Sequence, residues 1–193
     1  MSHSPATAHD PLGVQRAGRL HQLAWLVGGV VMLAVSSRIA IPMVPVPITL
    51  QTLAVTLVGS LYGWRLGGLT VLVWLLAAAL GLPLLSGGAG GLEPFTGATA
   101  GYLFAFPLAA ALVGVLTARG WNGAHPFRAL CAMLAGNILC LTLGAAWLAT
   151  MIGAESALGA GVIPFLPGAV IKSAAAAAVL VTLCRNATPA RLI

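Results

Sequence analysis

The chain has very few charged residues. Of its 193 residues, 6% are Asp, Glu, Lys or Arg, and the acidic residues number three, whereas a soluble domain carries about 25% charged residues. This scarcity excludes an ordinary soluble protein. The basic residues are scattered singly between apolar runs, so they form no basic face of the kind that binds nucleic acid. The 60% hydrophobic content indicates an integral membrane protein in contact with the lipid bilayer.

Residue patterns typical of catalysis and metal binding are also missing. The sequence has no paired intramembrane carboxylates, no His-Glu-x-x-His and no aspartate-rich prenyl-pyrophosphate motif. Lys172 lacks the preceding glycine of a phosphate-binding loop. Cys131, Cys140 and Cys184 lie in apolar runs without metal-ligand spacing, and we expect them to be small core residues. We therefore expect no enzyme, no metal site and no cofactor.

What the sequence does contain is a series of long apolar runs. A membrane-spanning helix needs about 20 apolar residues, and the runs predict an all-α integral membrane protein with six transmembrane helices at residues 20–40, 47–63, 66–81, 97–118, 128–152 and 162–184. The second and third spans are short and joined by a tight hairpin, so we expect them to be antiparallel neighbours. A disordered cytoplasmic leader (1–19) and a cytoplasmic tail (186–193) are predicted to flank this domain (20–185).

The charged residues between the spans predict the orientation. Basic residues concentrate on the cytoplasmic side of membrane proteins. If the six spans alternate, Arg38, Glu93 and Glu155 fall on one side, and seven arginines fall on the other. Both termini are therefore predicted to be cytoplasmic, in a multi-pass protein of a bacterial-type cell membrane. The seven arginines on the predicted cytoplasmic side are Arg16, Arg19, Arg65, Arg119, Arg128, Arg185 and Arg191.

The segment between the first two spans is apolar but cannot be helical. Pro42, Pro45 and Pro47 lie within six residues, and each proline removes a backbone donor and crowds the preceding turn. Non-helical backbone at membrane depth is tolerated where protein covers it or where it lines a cavity. We interpret the three prolines as the lid and wall of a small-molecule pocket on the outer side. Uncharged hydrogen-bonding side chains follow directly, at Thr49, Gln51 and Thr52.

Two polar residues lie within later spans. Lys172 is the only lysine of the chain, and a cation in the middle of a span costs roughly 3 kcal/mol on insertion scales. It therefore faces either a cavity with an anionic ligand group or, by snorkelling, the outer interface. Asn137 lies near the middle of the fifth span, where an amide needs a partner. Either a ligand or a neighbouring helix can supply that partner.

Further candidates lie near the outer side. Tyr102 is either a ligand contact or an interfacial aromatic, and the glycine-rich start of its span offers free N–H groups to a polar ligand. Glu93 is either a ligand contact or an exposed loop acid. On the first span, Ala24 and Gly28 have the spacing of small residues at helix interfaces. They serve either internal packing or the docking of another membrane subunit.

Residues 41–52 resemble the signature of the BioY family, the biotin-binding S components of energy-coupling factor transporters. Further matching motifs follow in the family's order and extend the resemblance over about residues 20–184. It implies an S-component-like bundle that captures biotin with high affinity and associates with a transmembrane coupling protein (T component) and two cytoplasmic ABC-type ATPases. The further motifs that match the family are Gly81-Leu82-Pro83, Gly97–Tyr102, Gly136-Asn137, and Pro164–Gly168 with Lys172.

The resemblance also implies roles for the candidate residues. Biotin offers two ureido N–H groups, a carbonyl, an apolar ring and a carboxylate. Trp74 and Tyr102 can cover the ring, and Lys172 or Arg38 can meet the carbonyl or the carboxylate. The residues that can serve the ureido group are Thr49, Gln51 and Asn137.

One departure from the family concerns this ligand. The family commonly has Asp three residues before the lysine, and this chain has Ala169 there. Asn137, Gln51 or a backbone carbonyl would then have to accept the ligand N–H. Two other functions stay open from the sequence: an S component for another small vitamin, and a membrane scaffold without a ligand whose small-residue faces bind partner helices.

Overall fold

The computed structural model describes residues 12–14 and 18–187, and most of this part of the chain is helical. The predicted all-α class is confirmed. Five of the helices are long and apolar enough to cross a membrane. The elements are α1 (Arg19–Arg38), β1 (Ala40–Ile41), β2 (Ile48–Thr49), α2 (Gln51–Ala79), α3 (Ala100–Ala118), α4 (Pro126–Ile152), α5 (Ala154–Gly161) and α6 (Phe165–Ala187).

Helix α2 is folded back on itself at Gly63. This residue has φ 77° and ψ 172°, a conformation that glycine adopts without steric cost because it has no Cβ. Beyond the turn, Gly67 packs so closely on the earlier part of α2 that a Cβ on it would lie 3.0 Å from the Gly59 Cα. Residues 51–62 and 64–79 are therefore two antiparallel arms, which correspond to the predicted second and third spans.

Helix α3 packs along both arms of α2 and against α4. Its close approach to α2 depends on small residues, because Gly59 lies against the backbone of Ala110, and Gly114 lies against the backbone of Gly63 and Trp64. Glycine and alanine allow membrane helices to approach at backbone distance. Helix α6 closes the bundle by packing on α4 and α2.

The proline-rich segment is non-helical, as predicted. Strands β1 and β2 pair antiparallel, with Ala40 opposite Thr49 and Ile41 opposite Ile48, and residues 42–47 form the loop between them. The short helix α5 was not predicted. Its eight residues include Glu155 and Ser156 and lack the long apolar run on which the spans were recognised.

Four arginines of the described chain lie at one end of the bundle. The turn at Gly63 lies beside Gly114, near the end of α3, and the following loop meets the last turns of α6, where Gly123 packs on Leu180 and Cys184. Arg65, Arg119, Arg128 and Arg185 belong to these turns and helix ends. The proline-rich loop and Glu93 lie at the other end.

Parts of the predicted leader and tail, including Arg16 and Arg191, lie outside the described residues. Two described residues within the range assigned to the leader are not separate from the bundle, because Leu12 packs against the core and Val14 is fully buried in it.

We expect Gly59→Ala to destabilise the protein, because the added methyl group would meet the carbonyl oxygen of Ala110. Overpacking of this kind costs about 1–3 kcal/mol. Thermal unfolding of the detergent-purified protein measures the effect as a lower Tm. The matched control is Gly28→Ala on α1, where a Cβ would meet nothing within 4 Å. Equal Tm values for the two variants would contradict the close packing of α2 and α3.

Candidate functional site

A cavity of about 380 Å³ opens at the end of the bundle that carries the proline-rich loop. Its volume lies in the range of small-molecule pockets, about 300–1,000 Å³. The wall combines the proline-rich loop, the connection between α2 and α3, and inward faces of α2, α3, α4 and α6. The helices contribute buried polar groups to the floor, whereas most lining residues of the connection are exposed or half-buried and lie at the mouth.

The predicted lid contributes two of its three prolines to the cavity. Pro45 and Pro47 line the wall together with Val46, whereas Pro42 does not line it and is exposed. Across the mouth lie Ser86 and Glu93 of the connection between α2 and α3. The proline-rich loop therefore forms one side of the cavity mouth, and the connection between α2 and α3 forms another.

Thr49 and Gln51 line the cavity but are already bonded to each other. The Thr49 hydroxyl donates to Gln51 Oε1 (2.8 Å), and Gln51 Nε2 donates to Ser37 Oγ of α1 (3.1 Å). The Ser37 hydroxyl in turn donates to the carbonyl of Leu33 (2.8 Å). This chain of hydrogen bonds holds the start of α2 against α1. An amide nitrogen carries two N–H groups, so Gln51 retains one for a ligand.

Lys172 is a buried cation at the cavity floor. It is 8% exposed, and its ammonium donates to the backbone carbonyl of Thr49 (3.1 Å). Among the described residues no carboxylate pairs with it, and the two acids present, Glu93 and Glu155, lie in exposed positions. An ammonium has three N–H donors, so two of them stay available to the cavity.

Arg38, the other cation considered for the ligand, is not part of the cavity wall. Its guanidinium is exposed and donates to the carbonyl of Pro83. The structure therefore brings Lys172, and not Arg38, together with the other candidate residues.

Asn137 is 2% exposed and lines the cavity from α4. Its Nδ2 donates to the Met133 carbonyl one turn earlier (3.1 Å) and to Ser173 Oγ of α6 (3.0 Å). Both N–H groups of the amide are thereby used, whereas within the described part of the chain Oδ1 accepts no hydrogen bond. Of the two alternatives from the sequence, the interhelical bond is present, and contact with a ligand stays a prediction that the position in the cavity wall permits.

Aromatic side chains form the apolar part of the cavity. Tyr102 lines it, donates its hydroxyl to the Gly161 carbonyl (2.8 Å), and stacks on Phe165 with ring centroids 6.1 Å apart. Trp74 does not line the cavity. It is fully buried behind Phe106, on which it stacks at 6.1 Å, and Phe106 lines the cavity in its place.

Several lining residues were not among the predicted site residues. Cys140 is three residues after Asn137, and Phe106 is four after Tyr102, so helical spacing from a predicted neighbour would have identified both. Ser86 and Thr99 lie outside the long helices, where no periodicity identifies a facing side. Ala169 also lines the cavity, so the position that is commonly acidic in the family is apolar in this wall.

The predicted partner face does not line this cavity. Ala24 and Gly28 are exposed on the outer surface of α1, and no atom lies within 4 Å of a Cβ placed on Gly28. Internal packing therefore does not occupy this pair, and its use in docking stays a prediction.

Comparisons with known proteins agree with this architecture. The BioY family profile matches residues 7–189. A probable biotin transporter BioY of Pyrococcus horikoshii is 34% identical over 76% of this chain and 86% of the relative, and a biotin transporter BioY of Rhizobium etli is 38% identical over 77% and 83%.

A solved structure is similar over nearly the whole bundle. It is the crystal structure of the S-component for biotin from an ECF-type ABC transporter, and it matches with a TM-score of 0.78 and 27% identity. The match covers 86% of this chain and 92% of that one. With the fold, the cavity and the family profile in agreement, the chain belongs to the BioY family.

Proposed function

We propose that this protein captures biotin at the outer side of the cell membrane, as the S component of an energy-coupling factor transporter. The proposal rests on two polar groups at the cavity floor. Lys172 is a buried cation without a carboxylate partner in the described chain, and the Asn137 side chain has an oxygen that accepts no hydrogen bond from the described residues. A ligand with both an acceptor and an N–H donor satisfies this pair. The transporter relatives support transport rather than catalysis.

The chemistry of biotin matches the remaining groups of the cavity. A ureido N–H can donate to Asn137 Oδ1, and the free N–H groups of Lys172 can bind an anionic or carbonyl oxygen of the ligand. Tyr102, Phe106 and Phe165 supply apolar surface for the ring and the side chain. Thr49 and Gln51 support this arrangement mainly by holding the carbonyl that Lys172 binds.

The proposal includes an orientation and partners. The end with Arg65, Arg119, Arg128 and Arg185 is cytoplasmic by the excess of positive charge, so both termini are cytoplasmic and the cavity mouth is outside. A T component and two ABC-type ATPases supply the energy for uptake. The exposed pair of Ala24 and Gly28 on α1 docks the T component, because small residues allow a partner helix to approach closely.

We expect the purified protein alone to bind biotin saturably at one site. Desthiobiotin should compete, because it retains both ureido N–H groups, whereas lipoate, which has none, should not, since it would leave buried polar groups unpaired. Equilibrium binding with each competitor measures this. A folded protein that binds no biotin would overturn the proposal and favour another small vitamin or a scaffold without a ligand.

Replacing the buried cation should weaken binding strongly. A hydrogen bond to a charged group contributes about 1.5–3 kcal/mol, so we expect Lys172→Ala to raise the Kd for biotin roughly 10- to 100-fold without impairing membrane insertion. The matched control is Arg38→Ala, which removes the cation outside the cavity and should have a much smaller effect. An unchanged Kd for Lys172→Ala, or a larger loss for Arg38→Ala, would contradict the assignment.

The orientation can be tested with two alanine-to-cysteine variants in a background without the native cysteines. Ala89→Cys lies at the cavity mouth and Ala124→Cys at the basic end, and both positions are exposed. A membrane-impermeant maleimide should label the Ala89→Cys variant in intact cells. It should label the Ala124→Cys variant only after the membrane has been permeabilised. The reverse pattern would show that the cavity opens to the cytoplasm.

A further inference from the structure

We propose that the hydroxyl of Thr52 is a further ligand-binding group of the cavity, which accepts a hydrogen bond from one of the two ureido N–H groups of biotin. The inference rests on the proposed function and adds to it a second acceptor beside Asn137. Thr52 belongs to the first turn of α2, is half-buried, and lines the cavity.

The hydroxyl oxygen of Thr52 is buried and has no hydrogen-bond partner in the described part of the chain. One turn later in α2, Thr56 donates its hydroxyl to the carbonyl of Leu53, three residues before it (3.0 Å). The corresponding carbonyl for Thr52 is that of Thr49, which lies in β2 and accepts from Lys172. A buried polar group without a partner is rare in native structures, and a ligand in the cavity would supply the missing partner.

Contacts on both sides of Thr52 place it near the polar groups of the cavity floor. Thr49, three residues earlier, carries the carbonyl that the buried ammonium of α6 binds. Thr56, one turn later on the same face of α2, packs against α4, because a Cβ on Gly136 would lie 3.0 Å from its methyl carbon. The residue after Gly136 is Asn137. Thr52 therefore lies between the contact of α2 with α6 and the contact of α2 with α4.

The polar groups around this position complement a cyclic urea, which presents two N–H donors and one carbonyl. The Lys172 ammonium can donate to the carbonyl, and Asn137 Oδ1 can accept from one N–H. Gln51 Oε1 already accepts a hydrogen bond, and Ala169 has no polar side-chain atom. The Thr52 oxygen is therefore a buried acceptor without a protein partner that can serve the second N–H.

Binding a ligand through Thr52 breaks no hydrogen bond of its side chain within the described chain, since its hydroxyl has no partner there. A threonine side chain in a helix divides between two rotamers, so its hydroxyl can turn toward the ligand without losing a protein contact of this kind. A hydroxyl oxygen has two lone pairs. It can therefore accept the ureido N–H whichever way its own hydrogen points.

The first test replaces the hydroxyl with a methyl group of similar size. We expect Thr52→Val to raise the Kd for biotin about 5- to 50-fold, because a ureido N–H would then be buried without a partner. Desthiobiotin should show the same loss, since it retains both ureido N–H groups. Thr52→Ser, which keeps the hydroxyl, should restore most of the affinity. Equilibrium binding to the purified protein measures all three effects.

Thermal unfolding without a ligand separates a ligand contact from a packing residue. Because the Thr52 hydroxyl has no partner in the described chain, Thr52→Val should leave the Tm of the ligand-free protein unchanged or raise it. The matched control is Thr56→Val, which removes a buried, hydrogen-bonded hydroxyl outside the cavity wall. This control should lower the Tm and leave the Kd for biotin unchanged.

Two cyclic carbamate analogues of biotin, each with one ureido N–H replaced by oxygen, identify the ligand group that Thr52 meets. Groups that act through each other are non-additive. Thr52→Val should therefore weaken the binding of one carbamate only slightly, since its ring oxygen needs no acceptor, and weaken the other as much as biotin. An equal loss for biotin and both carbamates would show that the hydroxyl does not meet a ureido N–H.

The outcomes distinguish this proposal from the proposed function. An unchanged Kd for biotin in Thr52→Val, or a fall in its Tm as large as that of Thr56→Val, would overturn the role of Thr52 while leaving biotin capture intact. An unaltered protein that binds no biotin would overturn both. If Thr52→Val does not fold, Thr52→Ala removes the same hydroxyl without adding a methyl group, and we expect a similar loss of affinity.

Discussion

The hydrogen bond between the Lys172 ammonium and the Thr49 carbonyl is the contact on which the arrangement of the site depends. A charged group removed from water is costly unless it is paired or hydrogen-bonded, and the described chain offers this ammonium a backbone carbonyl and no carboxylate. The bond holds the end of the proline-rich hairpin against α6. It leaves part of the charge unsatisfied, which favours a ligand that can complete it.

The other polar groups of the cavity divide into supports and open positions. Thr49, Gln51 and Ser37 bond to one another and join α1 to the start of α2, and Tyr102 is held by the Gly161 carbonyl. These side chains are ordered before a ligand arrives, which reduces the entropy lost on binding. Asn137 Oδ1 and the remaining donors of Lys172 and Gln51 are the groups that a ligand can address.

Small residues allow two of the helices that form the cavity wall to pack closely, at positions away from the cavity itself. The turn at Gly63 and the contacts of Gly59 and Gly114 bring α2 and α3 together at backbone distance toward the basic end of the bundle. At the other end, the proline-rich loop and the connection between α2 and α3 join the helices, and the cavity lies there.

The sequence by itself determined the membrane class, the helical fold and the non-helical proline segment, because hydrophobic run length and proline chemistry act locally along the chain. It also indicated the buried polar residues Lys172 and Asn137, since such residues are costly in a span. The tertiary structure decided which candidates meet. It separated Arg38 from the cavity and put Phe106 in front of Trp74. It also paired Asn137 with Ser173, because these relations depend on how helices far apart in sequence face one another.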